Sequence, residues 1–281
     1  MSKSRLDLDI SNLEKIGEGR EAEMYVLDDG RALRLYRAGF SAAGAMGQVF
    51  NQRLASDSGV RVPQVYEFQL VNGRFGVIME RIDGTDLLTE VGRKPWRIYS
   101  IASQCGRTHA GLNSVLAPLS LTPVVERYTA TIERAREIPD ELRDAALKQL
   151  AGLSDGDSLC HLDFHPANVM EQNGRPVVID WSNAARGPAE ADYARSMLIL
   201  QLGDPPPGTA LTLRILAVVG RRIFRALYSR AYRRVLKLDD AQVRAWAVPV
   251  AVARLGDGIE SEREALLSHI RSLLAAPPSS G

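Results

Sequence analysis

Leu159-Cys160-His161-Leu162-Asp163-Phe164-His165-Pro166-Ala167-Asn168-Val169-Met170, followed by Val177-Val178-Ile179-Asp180, is the stretch on which the reading of this chain turns. Asn168 opens a short apolar run, Gln172-Asn173-Gly174-Arg175 is turn-forming, and a second apolar run ends at Asp180, the pattern of a β-hairpin closed by Asn173-Gly174. Antiparallel pairing about that turn predicts Asn168 beside Ile179 and Asp180. An amide oxygen and a carboxylate then converge at the open end of the hairpin, with Asp163 on the loop that feeds it. Two such oxygen ligands suit Mg²⁺, which takes few protein groups and leaves its other positions to water and phosphate. The stretch therefore reads as a phosphoryl-transfer centre.

The rest of the chain is compatible with a globular enzyme. With 45% hydrophobic residues over 281 positions it can bury one large core or two modest ones, and a net charge of +1 gives no bulk attraction to nucleic acid or a membrane. Residues 1–10 lack the apolar core of a signal peptide, and no apolar run approaches the roughly 18 residues of a membrane span, so a cytoplasmic protein is expected. Cys105 and Cys160 are too few for a disulfide scaffold or a metal cluster and read as buried thiols.

Upstream of the central stretch, residues 13–16, 22–27 and 32–36 read as strands, with Gly17-Glu18-Gly19 between the first two. Glycines at alternate positions of a hairpin loop let backbone N–H groups approach phosphate oxygens with no Cβ in the way. A helix over 42–56 follows, then strands at 65–70 and 74–79 joined by an Asn72-Gly73 turn. Residues 1–80 thus form a small lobe and 81–86 a connecting segment. From 87 to 281 the pattern is helical. Helices are expected over 96–115, 123–138, 141–153 with Asp140 as N-cap, 193–202, 211–236, 239–255 and 260–274, with Pro205-Pro206-Pro207 as an interruption. His109 lies in the apolar stripe of the first of these and reads as a core residue. Arg221, Arg222, Arg225, Arg230, Arg233 and Arg234 crowd one helix as a solvated basic face.

The spacing His161-x-Asp163-x-x-x-x-Asn168, with Asp180 ending the next strand, resembles the catalytic loop and metal motif shared by protein kinases and aminoglycoside phosphotransferase-like kinases. His165-Pro166, and Ile179-Asp180-Trp181-Ser182 in place of Asp-Phe-Gly, bring it closer to the second group. The resemblance covers nearly the whole chain. It implies an α+β, two-lobed protein-kinase-like fold, with a small five-stranded antiparallel N-terminal lobe carrying one helix and a larger, mainly helical C-terminal lobe. It further implies an ATP-dependent phosphotransferase that moves the γ-phosphoryl group to a small-molecule hydroxyl. Asp163 would accept the hydroxyl proton or orient the nucleophile, and Asn168 and Asp180 would hold Mg²⁺. Gly17, Gly19 and Arg34 would contact phosphates, and the segment Met79-Glu80-Arg81-Ile82-Asp83-Gly84 would meet the adenine edge through the backbone of Glu80 and Ile82. Asp192 would be buried behind the catalytic loop and tie its backbone.

Three positions depart from the family pattern. Arg34 stands where a Lys is expected, and a planar fork is not equivalent to a compact point charge. The 42–56 helix holds no acidic residue to orient that cation, Gln48 being nearest to the expected Glu. Leu162 stands where the family usually has Gly. The first two departures support an alternative of a different class, a nucleotide-binding, pseudokinase-like regulatory protein without transfer activity. Homoserine-like, choline-like, sugar and antibiotic hydroxyls all remain as acceptors. A polycationic aminoglycoside would need an acidic pocket; Asp257, Glu260, Glu262 and Glu264 are the candidates, and an exposed charged helix explains them equally well.

Overall fold

The computed structural model describes residues 10–202 and 211–275, so the expected break at Pro205-Pro206-Pro207 lies outside the described residues. Two compact units make up the chain: Met1–Thr85 with Met170–Ser182, and Asp86–Val169 with Asn183–Gly281. This division differs from the sequence boundary at residue 80. The first unit runs on to Thr85 and takes back the hairpin segment, because the Val178 N–H donates to the Arg61 carbonyl at 3.0 Å and the Arg61 guanidinium donates to Gln172 Oε1 at 2.6 Å.

In the N-terminal lobe, β1 (Lys15–Glu18), β2 (Ala22–Val26), β3 (Ala32–Tyr36), α1 (Ala42–Asp57), β4 (Val65–Val71) and β5 (Arg74–Met79) follow one another, and the strands form one antiparallel sheet in the order β1-β2-β3-β5-β4. The central strand β3 is buried on both faces. Ala32 and Tyr36 pack with Ala45 and Val49 of α1, whereas Leu33 and Leu35 pack on the other side with Leu27, Val71 and Ile78. Because strand side chains alternate, Arg34 shares the α1 face with Ala32 and Tyr36. Burial of each large apolar side chain here contributes roughly 1.5–3 kcal/mol. Asn72 and Gly73 both take positive φ, as the expected two-residue turn requires.

The C-terminal lobe is mainly helical: α2 (Leu87–Arg93), α3 (Ile98–Asn113), α4 (Val124–Arg134), α5 (Asp140–Leu150), β6 (Ser158–Cys160), then, past the hairpin strands β7 (Val169–Gln172) and β8 (Arg175–Val178), β9 (Ala185–Gly187), α6 (Ala189–Leu202), α7 (Leu211–Val235), α8 (Asp240–Ala245), α9 (Ala247–Leu255) and α10 (Arg263–Ala275). Asn173 (φ 53°) and Gly174 (φ 75°) close the β7–β8 hairpin, both left-handed. Four expectations change. Residues 239–255 form two helices meeting at the buried Trp246, with Pro249 in the first turn of α9 where its missing N–H is harmless. Trp96 lies in a short 3₁₀ turn opened by Pro95 and is 73% exposed. Asp140 is inside α5, paired with Arg143, and Pro139 takes the cap position. Finally β6 pairs with β9, a short antiparallel ribbon absent from the sequence expectation. No helix among the described residues is long and apolar enough to cross a membrane.

Gly106 decides how closely α3 approaches α7. A Cβ built there would lie 2.3 Å from the Tyr228 carbonyl oxygen and 3.0 Å from the Tyr232 nitrogen, so only glycine permits the observed contact. That contact carries Tyr228 and Tyr232 to His109 and Asn113, behind the loop that holds Asp163.

Candidate active site

Built from the back, the loop that carries Asp163 hangs on one buried carboxylate. Asp192, in the first turn of α6, accepts the N–H groups of His161 (2.7 Å) and Leu162 (2.9 Å) and the amide of Asn113 (2.9 Å), and faces His109 Nε2 at 2.9 Å. Desolvation pushes its pKa up, but His109 and these hydrogen bonds outweigh it and hold it at about 2. The supporting shell is itself fixed. Asn113 also donates to the Leu159 carbonyl, the Tyr232 hydroxyl donates to Asn113 Oδ1, His109 Nδ1 meets the Tyr228 hydroxyl, and the His109 ring stacks on Phe164 at 4.3 Å. His109 is thus the core residue expected, and Asp192 sits behind the loop.

Leu162 adopts φ 58° while fully buried. A leucine in the left-handed region carries strain on the order of 1–3 kcal/mol, which persists only where the surroundings over-determine the backbone. Here they do: the Leu162 N–H is held by Asp192, and its carbonyl accepts from Arg195 Nε at 2.9 Å. The backbone shape that glycine would adopt freely is imposed on leucine from both sides.

Asp163 follows directly. Its Oδ2 accepts from Asn168 Nδ2 at 3.3 Å and lies 3.8 Å from His165 Nε2, and its Oδ1 faces Arg254 Nη1 at 3.3 Å. Asn168 Nδ2 also donates to the Asp163 carbonyl at 2.9 Å. Desolvation again raises the pKa, but His165, Arg195 and Arg254 together hold the carboxyl well below the usual range, so it is a fixed anion and a weak base. Sequence reasoning missed Arg254. It arrives from α9, held bidentate by Glu262 (Nε–Oε2 2.7 Å, Nη2–Oε1 2.8 Å), while Asp257 takes Arg195 Nη2 at 2.5 Å. Pro249, Arg254 and the acidic run after it were visible as residues, but no spacing rule ties residue 254 to residue 163.

The remaining site residues belong to the N-terminal lobe. Arg34 lies with its guanidinium 5.3 Å over the Tyr36 ring and its Nη2 3.6 Å from Asp180 Oδ1. Its carboxylate neighbour comes from the segment after β8 and not from α1. Gln48 has a different occupation from the Glu it replaces: it accepts from the Tyr36 hydroxyl at 2.8 Å and donates to Glu21 at 2.7 Å. Asp180 takes φ 61°, and its buried Oδ1 accepts no hydrogen bond among the described residues. Asn51 Nδ2 donates to the Trp181 carbonyl at 3.2 Å and fixes that segment to α1.

Gly17 lies in β1 opposite Met24, and the Gly19 N–H closes the turn onto the Ala22 carbonyl at 2.8 Å. Neither takes positive φ, and a Cβ at either meets nothing nearer than 3.6 Å, so the fold itself does not demand glycine there. The Glu80 N–H is engaged by the Gln64 carbonyl at 2.8 Å and its carboxylate by Arg61. Ile82, two residues on, makes no backbone hydrogen bond among the described residues.

A family model described as the phosphotransferase enzyme family matches residues 12–246. The chain belongs to that family. Solved structures similar to this phosphotransferase-family chain include a thermostable mutant of the aminoglycoside phosphotransferase APH(4)-Ia, in ternary complex with AMP-PNP and hygromycin B, at 16% identity and TM-score 0.65, covering 96% of this chain and 95% of that one. Another is a choline/ethanolamine kinase family protein from Mesorhizobium loti, at 14% identity and TM-score 0.64, covering 95% and 90%. A third is the gentamicin complex of APH(2″)-IIa, at 15% identity and TM-score 0.54, covering 96% and 93%. A comparison with curated proteins finds no match. At these identities the likeness shows the fold, an α+β protein-kinase-like architecture. Among the described residues no three His, Cys, Asp or Glu side chains converge as a metal cluster. Asn168 Oδ1, which accepts no hydrogen bond among the described residues while its Nδ2 is engaged, and the orphaned Asp180 Oδ1 are oxygen atoms of the kind that a hard divalent cation takes.

Proposed function

We propose that the protein transfers the γ-phosphoryl group of ATP to a hydroxyl of a small molecule, in the cytoplasm where ATP is supplied. The observation that carries the proposal is Asp163, a carboxylate kept ionised on a strained loop that Asp192 anchors from behind. A hydroxyl is a poor nucleophile, and a fixed carboxylate within hydrogen-bond reach aligns it and takes its proton as the bond to phosphorus forms. Because phosphoryl transfer passes through a loose transition state, alignment matters more than basicity, and a carboxyl below the usual range serves. Asn168 and Asp180 are the proposed donors to Mg²⁺, which neutralises phosphate charge when bound. Arg34, Gly17 and Gly19 are the proposed phosphate contacts, and the backbone of Glu80 and Ile82 the proposed adenine contacts. The carbonyl of Glu80 and both backbone groups of Ile82 are the ones left for that role. The aminoglycoside phosphotransferase structure that carries AMP-PNP and hygromycin B supports a nucleotide and a small hydroxylated acceptor. The test is ADP release from Mg-ATP across a panel of hydroxyl compounds. Acceptor-dependent release supports the proposal, and its absence across the panel with tight nucleotide binding favours the other class.

That other reading, a nucleotide-binding regulator without transfer, draws on the 3.6 Å approach of Arg34 to Asp180, a cation beside a proposed metal donor. Arg34→Lys discriminates between them. In an enzyme the shorter, more compact cation leaves nucleotide affinity within about tenfold and turnover measurable. In a regulator neither protein turns ATP over.

A further inference from the structure

The polar network around Asp163 bears on which acceptor fits, a question that rests on the transfer reading above. Of the four acidic residues available to a polycationic acceptor, Glu262 is engaged bidentate by Arg254, and Asp257 is engaged by Arg195 and approached by Arg254 at 3.5 Å. Glu260 and Glu264 are exposed on the surface. Asp163, Asp257 and Glu262 therefore share the two cations Arg195 and Arg254. Arg127 lies within electrostatic reach of Arg195 and Asp257; its largely desolvated guanidinium donates from Nη2 to the Ala184 carbonyl at 3.2 Å, and its buried Nε has no hydrogen-bond partner among the described residues. No free carboxylate remains in this network to receive ammonium groups.

Arg254 is held unevenly. Glu262 grips Nε and Nη2 at 2.7 and 2.8 Å, the usual length of a charge-assisted bond, whereas Nη1 makes only the long contacts to Asp163 (3.3 Å) and Asp257 (3.5 Å). A rigid fork thus presents one loosely engaged N–H₂ beside the proposed base. The side chain is 10% exposed, so an anion reaching it would meet a largely desolvated cation, where charge-assisted bonds are strong.

We propose that the acceptor is an anionic alcohol, a hydroxy acid or a phosphorylated polyol, whose hydroxyl lies on Asp163 and whose carboxylate or phosphate is taken by Arg254. Asp163 Oδ1 and Arg254 Nη1 are 3.3 Å apart. With ordinary hydrogen bonds to each, the accepting hydroxyl and the anionic oxygen stand roughly 3–6 Å from one another, the spacing of groups on the same or neighbouring carbons. A polycation fits poorly here because it would have to displace two arginines from their carboxylates. A neutral sugar would make no charge-assisted bond to Nη1 of Arg254, whose contacts to Asp163 and Asp257 are long.

The experiment measures calorimetric binding and ATP-dependent phosphorylation of matched probes in parallel, with AMP-PNP present for binding: gluconate and 3-phosphoglycerate as anions, glucose and glycerol as neutral alcohols, kanamycin and choline as cations. The proposal expects the anions to bind in preference, Arg254→Gln to weaken that binding at least tenfold, and Arg254→Lys to weaken it less. Should Arg254→Gln fail to fold because Glu262 is left unpaired, the Lys variant carries the comparison, since it keeps the charge and loses the fork. Preferred binding or phosphorylation of kanamycin, choline or glucose overturns the anionic class while leaving phosphotransfer intact. Anion binding indifferent to Arg254, or absent altogether, overturns it too. Arg254-dependent anion binding without phosphorylation of any probe upholds the anion site and refutes transfer alone.

Discussion

At Leu162 two truncations should rank in the reverse of their usual order. Leu162→Ala and Leu162→Gly remove the same fully buried side chain, so each loses on the order of 2–5 kcal/mol of packing. They differ in what φ 58° demands. An L-residue in the left-handed region is disfavoured by roughly 1–2 kcal/mol, which the Ala variant retains and the Gly variant sheds. The greater freedom of glycine in the unfolded chain returns roughly 0.5–1 kcal/mol to Ala. The balance leaves Leu162→Gly the more stable by on the order of 0.5–1 kcal/mol, or about 1–4 °C in melting temperature for a protein of this size. Side-by-side thermal melts followed by near-ultraviolet circular dichroism read the difference. Hydrogen exchange at the His161 and Leu162 amides, both donated to Asp192, should stay slow in the Gly variant. If the Ala variant melts at or above the Gly variant, residue 162 is not held left-handed. The picture of a strained loop clamped by Asp192 and Arg195 then fails.

Gly106→Ala places a Cβ against the Tyr228 carbonyl; the two helices must separate, and we expect a loss of roughly 1–3 kcal/mol together with reduced turnover, measured by urea unfolding and by ADP release. Asp192 supplies a pH signature. Its folded pKa of about 2 lies below the ordinary 3.8, so its stabilisation is complete above about pH 4 and is lost as pH falls through 2, amounting to about 2 kcal/mol. Acid unfolding of Asp192→Asn should be flatter than wild type across that window, and equal slopes would contradict the buried ion.

How much of this was legible in the sequence depended on the range of the interaction. The hairpin was, because Asn173-Gly174 encodes its turn locally and apolar runs flank it. The five strands and α1 were legible from alternation and turn residues, and so was the family resemblance, because the distinctive polar residues of the 161–168 loop lie within eight positions. The supports of that loop come from elsewhere in the chain. Arg254 reaches Asp163 across 91 positions and Asn113 reaches Asp192 across 79, pairings that no periodicity announces. The acidic run 257–264 read equally as a pocket for cations or as an exposed charged helix, because only sequence neighbours were visible, whereas Asp257 and Glu262 are engaged by arginines from α6 and α9. The β6–β9 ribbon was missed because three-residue strands carry too little pattern. The break at Trp246 was missed although Pro249 lies inside the single helix expected over 239–255; in the structure that proline falls in the first turn of α9.

The central claim is that Asp163 aligns and deprotonates the acceptor hydroxyl. Asp163→Asn preserves the size of the side chain and removes the anion, so nucleotide affinity should hold within a fewfold while turnover of the acceptor found in the ADP-release screen falls by roughly 10²–10⁴. Single-turnover transfer from labelled ATP, with nucleotide binding measured on the same preparation, separates the two quantities. A variant that transfers within tenfold of the wild-type rate would contradict the assignment of Asp163 as the base.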